Sequence, residues 1–382
     1  MFGIILCALL VGLILYVFTG DRAMKGIKRH AFQIGYHMYV HTKLGQIFTK
    51  RHFVSSERKF PNGHSETKTF TYGALHVTAV PYGSDNYAYV IVDHTDKSAL
   101  IIDCGYGIDR LMTVVQNADA NVLAVFITHK HWDHCLSAHK LHRRVPMVPI
   151  YGSEIDSPQG CTHTLAVNVM QPVELHFGAR LRVRAHATRG HTNGHLAYEI
   201  SSTQNTGNDE RNMLFTGDVL FIGAIGKLFE GSADEMYDSL RLLSSMGNDC
   251  LVWPGHEYAS DNCAFALTVD AENEALKQKI DWCKVQREES MPTCPSTIGE
   301  EKRYNPFVRV LFDNEFLEHL DANNLSTTNE NNLINKDDVL IRPNRSSADL
   351  AANDGYPRKV RVAALAHLRA LKDDFRAPRS KM

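Results

Sequence analysis

Apolar residues recur along the chain in short bursts. "LHVTAVPY" (75–82), "NYAYVIVD" (86–93), "SALIIDCG" (98–105) and "VLAVFITH" (122–129) are rich in Val, Ile and Tyr and stop at turn residues, as buried strands do. "LRVRAHAT" (181–188), "HLAYEIS" (195–201), "NMLFTGD" (212–218) and "CLVWPG" (250–255) repeat the pattern. Between and after them the spacing turns helical, in "GIDRLMTVVQNA" (107–118), "ADEMYDSLRLLSSM" (233–246) and "AENEALKQKIDWCKVQREE" (271–289). Strands alternating with helices predict the α/β class.

The ends depart from this rhythm. "FGIILCALLVGLILYVF" (2–18) carries no charge, the lower limit for a helix that crosses a bilayer. No basic residue leads it, which argues for an uncleaved anchor over a signal peptide. Arg22, Lys25, Lys28 and Arg29 follow at once. The positive-inside tendency then predicts a single-pass membrane protein with its catalytic domain in the cytosol. Residues 22–69 form a basic juxtamembrane segment whose first part, 22–60, is aromatic as well; it fits an anionic lipid surface or a solvated linker helix. Residues 313–355 are Asn-rich with little apolar periodicity and predict a disordered insertion. Order resumes at "RKVRVAALAHLRALKDDF" (358–375), where Val362, Leu365, Leu368, Leu371 and Phe375 mark one helical face. The expected organisation is an anchor over 1–21, the basic segment over 22–69, a catalytic domain over 70–256 and a C-terminal helical region over 257–382.

Composition adds one fact to the pattern. The 382 residues include 20 histidines, which tilts the chain toward metal binding. A net charge of −2 gives no broad basic field, so no nucleic-acid partner is expected. The eight cysteines include no C-x-x-C pair and read as free thiols in a reducing compartment.

The histidines concentrate in "THKHWDHC" (128–135), directly after an apolar strand. His129 and His131 are two apart and can point the same way; Asp133 and His134 follow a short turn. Imidazole with carboxylate is a ligand set for zinc, iron or manganese. Four ligands could close one structural site. A two-ion site, suited to displacement at a carbonyl or phosphoryl centre, needs more. Seven side chains supply eight contacts if one carboxylate bridges. Further candidates stand at other strand ends: His186, His191 and His195 in "HATRGHTNGH", Asp218 in "LFTGD" and His256 in "LVWPGHEY".

The ordered set resembles the metallo-β-lactamase superfamily and, within it, the glyoxalase II (hydroxyacylglutathione hydrolase) family. The resemblance runs through "THKHWDH", "GHTNGH", "FTGDVLF", "GKLFEGSADEM", "PGHEYA" and "CPSTIGEEKRYNPFVR". It implies an αββα four-layer sandwich with the metals at one edge and a C-terminal helical region. It further implies two divalent ions, zinc first, with iron or manganese as alternatives. His129, His131 and His191 would hold one ion. Asp133, His134 and His256 would hold the other, with Asp218 bridging. The implied nucleophile is a metal-bridged hydroxide, with Asp133 and Asp218 the carboxylates of the catalytic centre. His195 matches a position that is not a ligand and is expected to orient one.

The implied substrate is a glutathione thioester such as S-D-lactoylglutathione. Lys227 and Tyr258 would contact it from the catalytic domain; Arg369 and Lys372 would reach its glycine carboxylate. Asn305 in "YNPF" reads as a structural turn. Phe229 stands where the family often has tyrosine, removing one hydroxyl donor from the substrate-binding set, and Ile225 stands where it has cysteine. Two rivals stand beside this reading: a mono-iron persulfide dioxygenase-like enzyme, and a membrane-tethered scaffold on a retained hydrolase fold.

Overall fold

The structure, a computed structural model, describes residues 21–204, 211–322 and 356–376. The chain divides into two units, residues 1–51 and 52–382. At the start of the described chain lie two helices, α1 (Asp21–His41) and α2 (Lys43–Lys59).

The second unit opens with β1 (Lys68–Tyr72), β2 (Leu75–Tyr82), β3 (Asn86–Asp93) and β4 (Ser98–Ile102), an antiparallel meander. Helix α3 (Ile108–Asn117) then crosses over to β5 (Asn121–Phe126), parallel to β4. Two short helices, α4 (Trp132–Cys135) and α5 (Ala138–Arg144), precede β6 (Ile150–Ser153) and β7 (His163–Leu165), which complete a seven-stranded sheet in chain order.

The chain continues through β8 (Val173–Phe177), β9 (Leu181–Ala187), β10 (Leu196–Ser202), β11 (Met213–Gly217), the hairpin β12 (Leu220–Phe221) and β13 (Ala224–Ile225), helix α6 (Ala233–Ser244), and β14 (Leu251–Pro254). After it come α7 (Ala259–Val269), α8 (Glu274–Glu288), β15 (Ser296–Thr297), α9 (Ile298–Tyr304), α10 (Pro306–Arg309), α11 (Asn314–Ala322) and α12 (Arg358–Asp374). The second sheet has six strands in the order β15-β14-β11-β10-β9-β8.

The alternation of side chains explains why these strands read as continuous apolar bursts. In β11 Met213 and Phe215 enter the core between the sheets while Leu214 enters a second core under helices. In β14 Leu251 and Trp253 face the first core and Val252 the second. Both faces are covered, so every position is apolar. The second core joins the outer face of this sheet to α6, α9–α12 and the hairpin, with Val362, Leu365 and Leu368 contributed by α12. Helix α3 covers the first sheet with Ile108, Leu111, Met112 and Val115 buried. This is the αββα sandwich the resemblance implies, followed by helices. Asn305 is structural: its fully buried amide donates to Ala224 O at 3.1 Å and Glu301 Oε2 at 2.9 Å, and its Oδ1 caps α10 by accepting from Phe307 N at 3.1 Å.

Two expectations need correction. Among the described residues no helix is long and apolar enough to cross a membrane. The single-pass membrane assignment therefore finds no support among them, and the expected anchor lies outside the described residues. Part of the expected disordered insertion is helical: α11 buries Phe316, Leu317 and Leu320 in the second core. Asp313 caps it, accepting from Phe316 N at 2.9 Å. The Asn-rich composition hid a single amphipathic turn pattern. The rest of that segment, 323–355, lies outside the described residues.

Candidate metal centre

Five expected ligands sit where an apolar strand gives way to a loop, and Asp133 and His134 sit on the short helix α4 that follows β5, all at one edge of the two sheets. His129 and His131 follow β5, His191 lies in the β9–β10 loop, Asp218 follows β11 and His256 follows β14. The strands are buried, so their ends are fixed to the rigid part of the fold. Glycines let the loops close on each other. Gly217 has φ +48°, and a Cβ there would lie 2.5 Å from His195 Nε2. A Cβ on Gly255 would lie 2.5 Å from Asp218 Oδ1.

The ligand atoms converge in two groups: His129, His131, His191 and Asp218, and Asp133, His134 and His256. In the first, His131 Nδ1 is 2.9 Å from His129 Nε2 and 3.0 Å from His191 Nε2, which is 3.4 Å from Asp218 Oδ2. In the second, His134 Nε2 is 3.2 Å from His256 Nε2, and Asp133 Oδ2 is 3.5 Å and 3.4 Å from these two nitrogens. Ligands about 2.05 Å from a tetrahedral ion stand roughly 3.3 Å apart, so both groups have the spacing of a coordination shell. Asp218 touches both: Oδ1 is 3.4 Å from His134 Nε2, and Oδ2 is 3.3 Å from His256 Nε2.

Outer partners aim the rings. His134 Nδ1 donates to Asp103 Oδ2 at 2.8 Å, His191 Nδ1 to Lys227 O at 2.9 Å and His256 Nδ1 to Asp85 Oδ1 at 2.9 Å. With Nδ1 carrying the proton, each Nε2 presents a lone pair to the centre. Asp103 holds a left-handed backbone (φ 59°) directly after β4. A non-glycine residue there costs of order 1–3 kcal/mol. The strain is offset by Thr128, whose N–H and hydroxyl also donate to this carboxylate at 2.8 and 2.9 Å.

Electrostatics test whether the donor set fits a cation. Burial alone would lower every imidazole. For His129, His131 and His195 it does so strongly, aided by neighbouring histidines, and His191 is lowered too. At His134 the same burial is outweighed by Asp218, Asp133 and Asp103, which hold the group up at about 10. Asp218 likewise outweighs burial at His256 and raises it. Two imidazoles driven to protonate thus face each other at 3.2 Å, where like charges repel. Asp218 Oδ1 is buried with no hydrogen-bond donor among the described residues. Cations placed among these atoms would neutralise the carboxylates, use the orphaned oxygen and remove the facing protons. The residues fit divalent metal.

The other candidates divide. His195 stands outside the ligand groups; its Nε2 accepts the Asp218 N–H at 3.1 Å and its Nδ1 meets the Thr188 hydroxyl at 2.8 Å, so it holds the backbone of Asp218. His186 is not brought to the centre, since its Nε2 faces Glu199 Oε2 at 3.0 Å. Phe229 packs edge-on against His131 and His191, with ring centroids 5.3 and 5.2 Å apart. Lys227 Nζ lies 5.6 Å from the centre of the Phe229 ring. Tyr258 stacks on His256 at 4.7 Å. Arg369 is buried and commits its guanidinium to Ile225 O at 2.7 Å and Asp373 Oδ1 at 3.0 Å. Lys372 Nζ reaches Asp261 O at 3.2 Å.

Sequence reasoning missed Asp85, Asn86, Asp103 and Thr188. Only Asp103 carried a usable signal: it ends an apolar strand as Asp218 does.

The sandwich, with a His/Asp centre where its strands end, defines a hydrolase of the metallo-β-lactamase type. The Metallo-beta-lactamase superfamily model matches residues 82–256, and the Hydroxyacylglutathione hydrolase C-terminus model matches 257–375. The chain is 36% identical over 232 residues to the cytoplasmic hydroxyacylglutathione hydrolase of Arabidopsis thaliana, covering 60% of this chain and 86% of the relative. It is 37% identical over 237 residues to a hydroxyacylglutathione hydrolase-like protein of Gallus gallus, covering 62% and 80%. It is 35% identical over 235 residues to the hydroxyacylglutathione hydrolase of Synechococcus sp. (strain JA-2-3B'a(2-13)), covering 62% and 88%. The chain belongs to the hydroxyacylglutathione hydrolase (glyoxalase II) family of metal-dependent hydrolases.

Proposed function

We propose that the chain hydrolyses glutathione thioesters, of which S-D-lactoylglutathione is the model, at a centre of two divalent ions, zinc first. One observation carries the reading: Asp218 presents its two carboxylate oxygens to both ligand groups. His129, His131 and His191 would hold one ion and Asp133, His134 and His256 the other. When bound, the ions supply Lewis acidity, making water a stronger acid and drawing charge from the thioester carbonyl.

The chain's own residues do the rest. Asp85, Asp103 and the Lys227 carbonyl keep the donor protons on Nδ1, so no ring turns away. Asn86 Nδ2 donates to Asp133 Oδ2 at 3.1 Å and fixes that carboxylate. Phe229 walls the centre beside His131 and His191 and excludes water there, offering no hydroxyl. Lys227 and Tyr258 would contact the peptide part of glutathione. Lys372 would pair with its glycine carboxylate. Arg369 would add its charge while its bond to Ile225 O holds α12 against β13 and its bond to Asp373 stays within α12.

The second ligand group and the C-terminal match favour this over a mono-iron persulfide dioxygenase, whose metal needs two His and one Asp. The test uses purified full chain, metal content determined, with S-D-lactoylglutathione and, separately, glutathione persulfide. Chelator-sensitive thioester hydrolysis restored by zinc supports the proposal. Oxygen consumption on the persulfide without thioester turnover rejects it.

A further inference from the structure

Asp156 belongs to neither ligand group. It lies in the turn after β6, yet it is where the two loops carrying His129, His131 and His191 meet. Its carboxylate is buried, with Asp156 6% exposed. Oδ2 accepts the Lys130 N–H at 3.2 Å and the Thr192 hydroxyl at 2.6 Å; Oδ1 accepts the Gly194 N–H at 2.9 Å. Lys130 separates His129 from His131, and Thr192 follows His191. Lys130 Nζ stands 3.4 Å from Asp156 Oδ1 and 2.8 Å from Glu230 Oε1, and Glu230 Oε2 accepts the Asn193 N–H at 3.0 Å.

The turn is itself pinned. The Ser153 hydroxyl accepts from Ile155 N at 3.2 Å and Asp156 N at 3.4 Å. A Cβ on Gly194 would lie 2.8 Å from Asp156 Oδ1, so only glycine allows this approach. His134 and His256 are instead aimed by Asp103 and Asp85. Asp156 thus braces the loops of the first group alone, whereas Asp103 reaches both, because the Thr128 hydroxyl it holds also meets His129 Nδ1 at 3.0 Å. A buried carboxylate shared by several donors fixes geometry strongly, because removing it strands every donor.

We propose that Asp156, with Lys130 and Glu230, is a positioning residue that sets the metal affinity of the His129–His131–His191 group and leaves the Asp133–His134–His256 group unaffected. This rests on the two-ion reading above. Ion loss and thioester turnover should separate accordingly, one ion leaving well before the other.

The test dialyses zinc-loaded full chain against graded chelator and counts retained zinc. Wild type is compared with Asp156→Ala and Asp156→Asn. Asp156→Ala should release one equivalent at about 10–100-fold lower chelator strength, the usual cost of losing an outer partner, and the second at the wild-type value. Asp156→Asn keeps the shape but turns an amide N–H toward a donor, so its shift should be smaller and in the same direction. The shift should persist when Asp156→Ala is combined with His256→Ala and vanish when it is combined with His191→Ala. Unchanged release of both ions, or equal weakening of both, overturns the proposal. Should the alanine variant not fold, the asparagine variant decides. A wild-type protein holding one ion contradicts the two-ion reading, while the variant-to-wild-type ratio for that ion still decides the role of Asp156.

Discussion

The metal centre and the C-terminal helix α12 both bring polar residues into buried places, and they do so in opposite ways. At the centre, charges converge and are left unresolved by protein: two histidines are driven to protonate at 3.2 Å from each other, and one Asp218 oxygen has no donor among the described residues. On α12 the charges are met mostly by protein, and only Arg369 Nε is left without a hydrogen-bond partner among the described residues. Arg369 is tied to Ile225 O and Asp373, and Lys372 to Asp261 O. Unresolved buried charge marks a place built for a ligand ion, whereas resolved charge marks a place that holds the fold and lends only its remaining field to a substrate.

Substitutions should break this contrast in graded steps. The largest effect belongs to the centre. His256→Ala removes a ligand of the second group; a metal contributes several kcal/mol of transition-state stabilisation, so kcat should fall by roughly 10³-fold. Folding should survive, which circular dichroism checks, and zinc analysis should show one equivalent lost.

On α12 the two cations should behave differently. Arg369→Gln strands the Ile225 carbonyl and Asp373, costing about 2 kcal/mol of stability, read as a lower melting temperature. Lys372→Met should leave the fold intact and raise KM for S-D-lactoylglutathione about tenfold with kcat unchanged, the loss of a charged hydrogen bond discounted for its exposure. Equal KM effects from both would erase the distinction.

Acidity sharpens the same point. Burial, then the neighbouring Arg369, lowers Lys372 to about 8. A lowered ammonium is charged below that value and neutral above it. KM should therefore rise as pH increases through about 8, and Lys372→Met should flatten the profile. The smallest change is a gain: Phe229→Tyr places a hydroxyl beside His131 and should lower KM by a few-fold, the worth of one neutral hydrogen bond of about 1 kcal/mol.

Much of the fold and of the centre is legible in the order of residues alone. The strand bursts map onto β2–β5, β9–β11 and β14 because both faces of those strands are covered. The ligands are legible because each stands just beyond such a burst. Lysine and arginine positions on α12 are legible, but their bonds are not: a helix face says which residues share a side, and only packing shows that Arg369 turns toward β13. Asp85, Asn86 and Asp156 lie in turns that sequence describes only as polar. Their roles come from loops distant in the chain meeting at one edge. Helix α11 is hidden because its apolar residues, Phe316, Leu317 and Leu320, are few and border an Asn-rich stretch.

Metal counting on Asp218→Asn tests most directly the proposed bridging role of Asp218. Zinc bound per chain, measured after equilibrium dialysis alongside S-D-lactoylglutathione turnover, should fall from two equivalents to one or fewer, with hydrolysis lost by about 10³-fold. Two equivalents retained with wild-type turnover would contradict it.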